Sequence, residues 1–267
     1  MLPLATLAPA SAMGALLACT TVPLLPALAN NPTHVFSVGY GLAAAAAGAA
    51  CLAAGAGAGA ATTLAAWGLV AYGVRLAAFL AWRQRAWPEW KERAAKSPEA
   101  RAKNVLAPVL GCGVFYALMC SPALWALRGG GIADASALAV AGVAIQWAGL
   151  LLEAIADTVK SACKLKDKDA YVSVFPFSVV RHPNYAGEIL HWVGLFLAGL
   201  PVMVGLGGGV AAVMGRLVPA ALGLIGIVGL MLSVTPRLDS KQADKYGEDA
   251  AYKSYAERTK MLVPFFY

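Results

Sequence analysis

Long apolar runs separated by short polar ones organise this chain. Counted in windows of about 20 residues, the length a helix needs to cross the hydrocarbon core, the runs fall near 4–28, 35–56, 61–82, 105–127, 137–159, 188–206 and 215–234. They predict an all-α fold, a multi-pass transmembrane helix bundle of about seven spans. Six is the alternative if the first window does not cross, because Pro9, Pro23 and Pro26 interrupt it. No Lys, Arg, Asp or Glu occurs from Met1 to Val74, a stretch long enough for more than one span. It lacks the basic start of a secretory signal, so it is expected to stay as membrane helix. Residues 42–61 are almost wholly Ala and Gly, small residues that let helix backbones approach closely.

Composition agrees with that pattern. Hydrophobic residues make up 60% of the chain and charged ones 13%, far from the roughly one-quarter charged average of soluble domains. The net charge of +7 does not point to nucleic acid, because the basic residues lie in loops between apolar runs. Segment 83–104 holds seven Lys or Arg against three acids, and 160–187 holds five against two. With seven spans, both segments and the tail 235–267 fall on one side, which the positive-inside rule makes cytoplasmic. The C-terminus is then expected in the cytoplasm, with the protein in the endoplasmic reticulum, another internal membrane or a bacterial inner membrane. Residues 1–104 read as N-terminal membrane helices with a basic loop, and 105–267 as a second membrane domain. The five cysteines form no CxxC pair, so no metal site is expected, and they read as small buried hydrophobes.

The densest chemistry is Arg181-His182-Pro183-Asn184-Tyr185-Ala186-Gly187-Glu188, set against the apolar run from Ile189. Polar groups at the rim of a membrane segment are expensive to desolvate. Arg181 can fork onto a phosphate or carboxylate, while His182, Asn184 and Tyr185 add donors and acceptors. Pro183 stiffens the start of the helix, and Gly187 leaves room for a ligand or another helix. The structural alternative has Arg181 snorkelling, Tyr185 in the interfacial belt and His182 capping the helix. Glu188 has no place in that account. On the preceding span Glu153 and Asp157 are spaced i, i+4 and share one face. The loop after them, Lys164 to Tyr171, is basic and ends in an aromatic residue. It suits a phosphate-bearing ligand, or is simply a solvated loop.

The segment RHPNYAGEILHW, with Glu153-Ala154-Ile155-Ala156-Asp157 before it and Thr235-Pro236 and the tail to Phe266 after it, resembles the steroid 5-alpha-reductase C-terminal domain family. More narrowly it looks like the branch described as a domain of unknown function numbered 1295. The resemblance covers about residues 145–267 in order and spacing, and more faintly the helix around Tyr72 and Arg75. It implies a multi-pass enzyme holding NADPH in a cytoplasm-facing cavity. Carried over position by position, it places Glu153, Asp157, Lys164, Tyr171, Arg181, His182, Asn184, Tyr185 and Asp239 around the cofactor and makes Glu188 part of the reacting end. Tyr72 matches the tyrosine that polarises an enone oxygen during hydride transfer, although an aromatic residue packed among Ala-rich helices fits the same position.

Two departures stand out. No acid precedes Glu89 to match the early glutamate of the steroid enzymes, and Asp239 stands where the branch usually carries Glu. The leading expectation is an NADPH-dependent reductase of an activated C=C bond in a lipid or sterol-like substrate drawn from the bilayer. The alternatives are an S-adenosylmethionine-dependent methyltransferase of the isoprenylcysteine carboxyl type, which shares an RHPxYxG segment, and a non-catalytic lipid-binding protein. Membrane lipids are the expected surroundings, and the small-residue helices suit a dimer as well as a monomer.

Overall fold

The computed structural model describes residues 9–25, 32–55, 58–87, 106–129 and 131–263. They form α1 (Pro9–Thr21), a 3-10 turn (Pro32–Phe36), α2 (Val38–Ala54), α3 (Ala60–Ala86), α4 (Leu106–Arg128), α5 (Ala137–Lys166), α6 (Pro183–Gly205), α7 (Gly209–Tyr246) and α8 (Ala250–Arg258). The architecture is the expected multi-pass helix bundle. Helices stand at all seven expected positions, and among the described residues α3 to α7 are the ones long and apolar enough to cross a membrane. The described α1 has 13 residues and α2 has 17, about 20 and 26 Å at 1.5 Å per residue, both short of the roughly 30 Å core. Leu28, at the expected end of the first window, lies outside the described residues.

Helix ends overrun the apolar windows where polar residues still favour helix. α5 continues seven residues beyond Val159 to Lys166, and α7 runs twelve beyond Val234 to Tyr246. Lys, Arg, Gln and Ala are good helix formers, and cations suit a helix C-terminus. α6 begins at Pro183, because proline at the first helical position loses no intrahelical bond.

The chain divides into two compact units, each discontinuous in sequence. One comprises Met1–Val143 and Leu195–Leu224, the other Ala144–Gly194 and Ile225–Tyr267. In the first, α2 packs on α3 through glycine: a Cβ on Gly41 would lie 2.7 Å from the Gly73 carbonyl oxygen, and one on Gly48 2.7 Å from that of Ala66. The Ala/Gly-rich stretch is therefore a close helix contact. Trp125, Met203 and Ala220 form a further buried cluster in this unit.

Two charges in this unit serve helix ends. Asp134 accepts from the Ala61 amide at 2.6 Å, satisfying one of the free N–H groups that begin α3. Arg216, buried, donates to the carbonyls of Met203 at 2.8 Å and Gly207 at 2.7 Å, closing the C-terminus of α6. The turn that follows uses Gly207, Gly208 and Gly209 at φ of 76, 94 and 70°, values side chains disfavour. Arg216→Met should destabilise the protein by about 2 kcal/mol, as a charged donor is lost from two carbonyls. Thermal unfolding followed by tryptophan fluorescence checks this; an unchanged midpoint would mean that water replaces the guanidinium.

Candidate cofactor site

The second unit is built on a crossing of α5 and α6. A Cβ on Gly187 would lie 2.6 Å from the Glu153 amide nitrogen and 2.7 Å from the Gly149 oxygen; one on Gly149 would lie 2.4 Å from the His191 nitrogen. The two backbones touch there. Gln146 meets His191 at one end, its carbonyl 3.3 Å from His191 Nδ1, so the helices run antiparallel. One turn beyond Glu153, the same register brings Asp157 to the level of Pro183 and Asn184.

This crossing carries the acids singled out in the sequence. Glu153, Asp157 and Glu188 are 3, 8 and 8% exposed, and Gln146 and His191 are fully enclosed. Carboxylates buried on apolar helices need hydrogen-bond donors or cations close by. Asn184 and Tyr185 are half-buried in the first turn of α6. The room expected at Gly187 is filled by the backbone of Glu153, within the protein.

Arg181 is engaged inside the chain. Its guanidinium forks onto Asp239, Nε to Oδ1 at 2.7 Å and Nη2 to Oδ2 at 2.8 Å, and Nη1 donates to Ala256 O at 2.7 Å and to Thr259 O. His182 Nε2 adds a contact to Asp239 Oδ1 at 3.3 Å, and its ring stacks on Tyr185. The backbone follows: the Arg181 and His182 amides donate to Lys260 O at 2.8 Å and Met261 O at 2.9 Å. His182 O in turn accepts the Tyr185 and Ala186 amides that open α6. Asp239 lies beyond the apolar part of α7, which ends at Val234. Burial alone would raise its carboxyl, but the bonds from His182 and Arg181 and the guanidinium charge prevail and hold it well below the ordinary value. Arg181 is stabilised as a cation by the same pair, against its own burial.

Lys164 is likewise committed, donating to Lys168 O at 3.0 Å, Ala170 O at 2.6 Å and the Tyr246 hydroxyl at 2.9 Å. These take the three donors an ammonium has. Tyr171 packs in a cluster with Tyr246, Tyr252 and Tyr255, ring centroids 5.3 to 5.8 Å away. Burial pushes the Tyr255 phenol up, and its hydroxyl donates to Phe177 O at 2.9 Å. The fork offered to an external anion by Arg181, and the ammonium of Lys164, thus close on this chain and assemble a cap from residues 167–182 and 246–263.

Tyr72 belongs to the other unit. It is fully enclosed, and its hydroxyl lies 3.1 Å from that of Tyr40. Tyr40 also packs on Tyr116, centroids 5.0 Å apart. With Gly41 pressed on Gly73 beside this pair, a ligand reaches Tyr72 only if α2 and α3 part there. Sequence reasoning missed Tyr40, and missed Tyr246, Tyr252 and Tyr255 as the cluster around Tyr171. The spacing of aromatics in a polar tail was the available signal for the last three.

A family model described as "Protein of unknown function (DUF1295)" matches residues 28–259. No curated protein and no solved structure matches the chain.

Proposed function

Because the chain belongs to the DUF1295 family, whose description names no chemistry, we propose from its side chains that it is an integral membrane NADPH-dependent reductase of an activated C=C bond in a lipid or sterol-like substrate. The observation that supports this most is the set of buried carboxylates, Glu153, Asp157 and Glu188, on two helices whose backbones touch. Carboxylates so placed accept hydrogen bonds from ribose hydroxyls and a carboxamide, the neutral donors of a dinucleotide. The exposed Lys166 and Lys168 are cations that can meet its phosphates. The donor set fits the cofactor on these terms.

When bound, NADPH supplies hydride. The chain's own part is to orient and to hold protons. Glu153 and Asp157 fix the sugar end, Asn184 offers an amide to the pyrophosphate or carboxamide, and Glu188 sits nearest the apolar phase. In this reading the proton that follows the hydride comes from Tyr72, whose phenol rests against that of Tyr40 and becomes available once α2 and α3 part. Removing one such donor lowers turnover by about 10²–10³-fold.

A second reading has a specific basis. With Arg181 and Lys164 engaged internally, two of the cations expected at the phosphates are already paired within the chain, and buried acids complement a sulfonium and an ammonium. That describes S-adenosylmethionine and a methyl transfer. Titration of the purified protein in lipid nanodiscs with NADPH, NADH and S-adenosylmethionine separates the two. Binding of S-adenosylmethionine alone would overturn the reductase. Tyr72→Phe should leave NADPH affinity unchanged while abolishing most turnover of an alkylated cyclohexenone, whereas Glu188→Gln should weaken cofactor binding itself. Turnover unchanged in Tyr72→Phe would return that phenol to a packing role.

A further inference from the structure

The segment joining α5 to α6 has an outer side that the cofactor reading does not use. Its inner side is held: Phe177 and Val180 are buried, Phe177 O accepts from Tyr255, and Val180 bridges to Lys260. On the outer side Val174, Phe175 and Val179 are 55, 65 and 47% exposed. Loop tips are ordinarily built from Gly, Pro, Asn, Asp and Ser. Three large apolar side chains on a fixed loop call for an occupant.

Position and charge identify one. Apart from His191, α6 is apolar from Ile189, six residues past Pro183, which at 1.5 Å per residue is about 9 Å along the axis. The headgroup region on each side of the hydrocarbon core is about 5–8 Å thick, so the loop ends at the outer edge of the headgroups, within side-chain reach of them. From Lys160 to Arg181 the chain carries five cations against Asp167 and Asp169, and Asp169 is paired with Lys245 at 2.7 Å. Lys166 and Lys168, eight and six residues before Val174, are exposed. Apolar side chains flanked by exposed cations are the chemistry of an interfacial contact with anionic lipid.

We propose that loop 174–179 dips into the leaflet on the side of the C-terminal cap, with Val174, Phe175 and Val179 at the acyl boundary and Lys166 and Lys168 at lipid phosphates. This holds whichever cofactor the protein takes. The Arg181–Glu188 segment, which follows directly, then lies at the bilayer surface, where an apolar substrate arrives laterally.

A photoreactive p-benzoylphenylalanine at position 175, in otherwise native full-length protein in phosphatidylcholine–phosphatidylglycerol nanodiscs, reads the neighbour directly. Because Phe175 is largely exposed, the replacement leaves the packing intact. After irradiation, lipid adducts at 175 should exceed those at a control position, Glu248, exposed in the turn between α7 and α8, several-fold, and should rise with the phosphatidylglycerol content. Equal yields at the two positions would mean that the loop faces water. An adduct to a second copy of the chain would mean that protein covers it. Either result overturns the proposal.

Discussion

Gly187→Ala is expected to destabilise the second unit by about 3 kcal/mol or more, the upper end of overpacking effects. The added Cβ would meet the Glu153 nitrogen at 2.6 Å, the Gly149 oxygen at 2.7 Å and the Glu153 Cβ at 2.9 Å. Two of these are backbone atoms of the facing helix, so no side chain can rotate away and α5 and α6 must separate. Against this stands the intrinsic preference of helices for alanine, about 1 kcal/mol over glycine. The net effect therefore decides how close the crossing is. A lower unfolding midpoint, with weaker binding of whichever cofactor the protein takes, is the expected pair of results, because Glu153 and Glu188 move with their helices. A midpoint that holds or rises would mean that the helices stand further apart.

Asp239→Ala comes next. It leaves the Arg181 guanidinium facing a space once filled by a carboxylate, with the carbonyls of Ala256 and Thr259 as its remaining partners. Breaking a fully buried ion pair costs about 3–5 kcal/mol. Here the side chains of Arg181 and Asp239 remain 11 and 22% exposed, and screening lowers the figure to about 2 kcal/mol. That corresponds to roughly a 30-fold larger open population of the cap, read as faster tryptic cleavage at Lys253, Arg258 and Lys260. Arg181→Met with Asp239→Leu should be cleaved more slowly than Asp239→Ala, since neither charge is left alone. Equal rates in the wild-type and Asp239→Ala proteins would remove Asp239 from the latch.

The same pair sets a pH dependence. A carboxyl whose folded value is depressed contributes stability in full above its unfolded value, near 3.8, and loses it as pH falls toward the folded one. Tryptic protection of the cap should thus show no loss from Asp239 between about pH 8 and 5, the stable range of a carboxylate with the ordinary reference of about 3.9. Acid exposure below that, assayed by an acid protease, should open the cap.

Much of the framework was legible along the chain. Apolar windows located every helix from α2 to α7, because membrane burial leaves a long, nearly uncharged record. Gly187 was readable as a place of close approach, and Glu153 and Asp157 as one face. What the windows could not give was where helices end, since α5 and α7 continue through residues such as Lys164 and Lys241 whose helix preference outlasts their hydrophobicity. Nor could they give partners. Arg181 finds Asp239 58 residues away, and Lys164 finds Tyr246 82 residues away. A free arginine and a latched one have the same sequence, and only the folded chain distinguishes them.

The latch also has a place in time. Arg181 and His182 are synthesised 79 residues before Lys260 and Met261, whose carbonyls receive their amides. At the ribosome's pace of roughly 5–20 residues per second, that interval is about 4–16 s. Until Asp239 is made, 58 residues after Arg181, the arginine waits unmatched, and for the rest of the interval the start of α6 still lacks the carbonyls of Lys260 and Met261. Chains stopped ahead of Lys260 would carry every long membrane helix yet lack the strap that seats the polar segment, leaving a bundle whose insertion is complete and whose maturation has not begun.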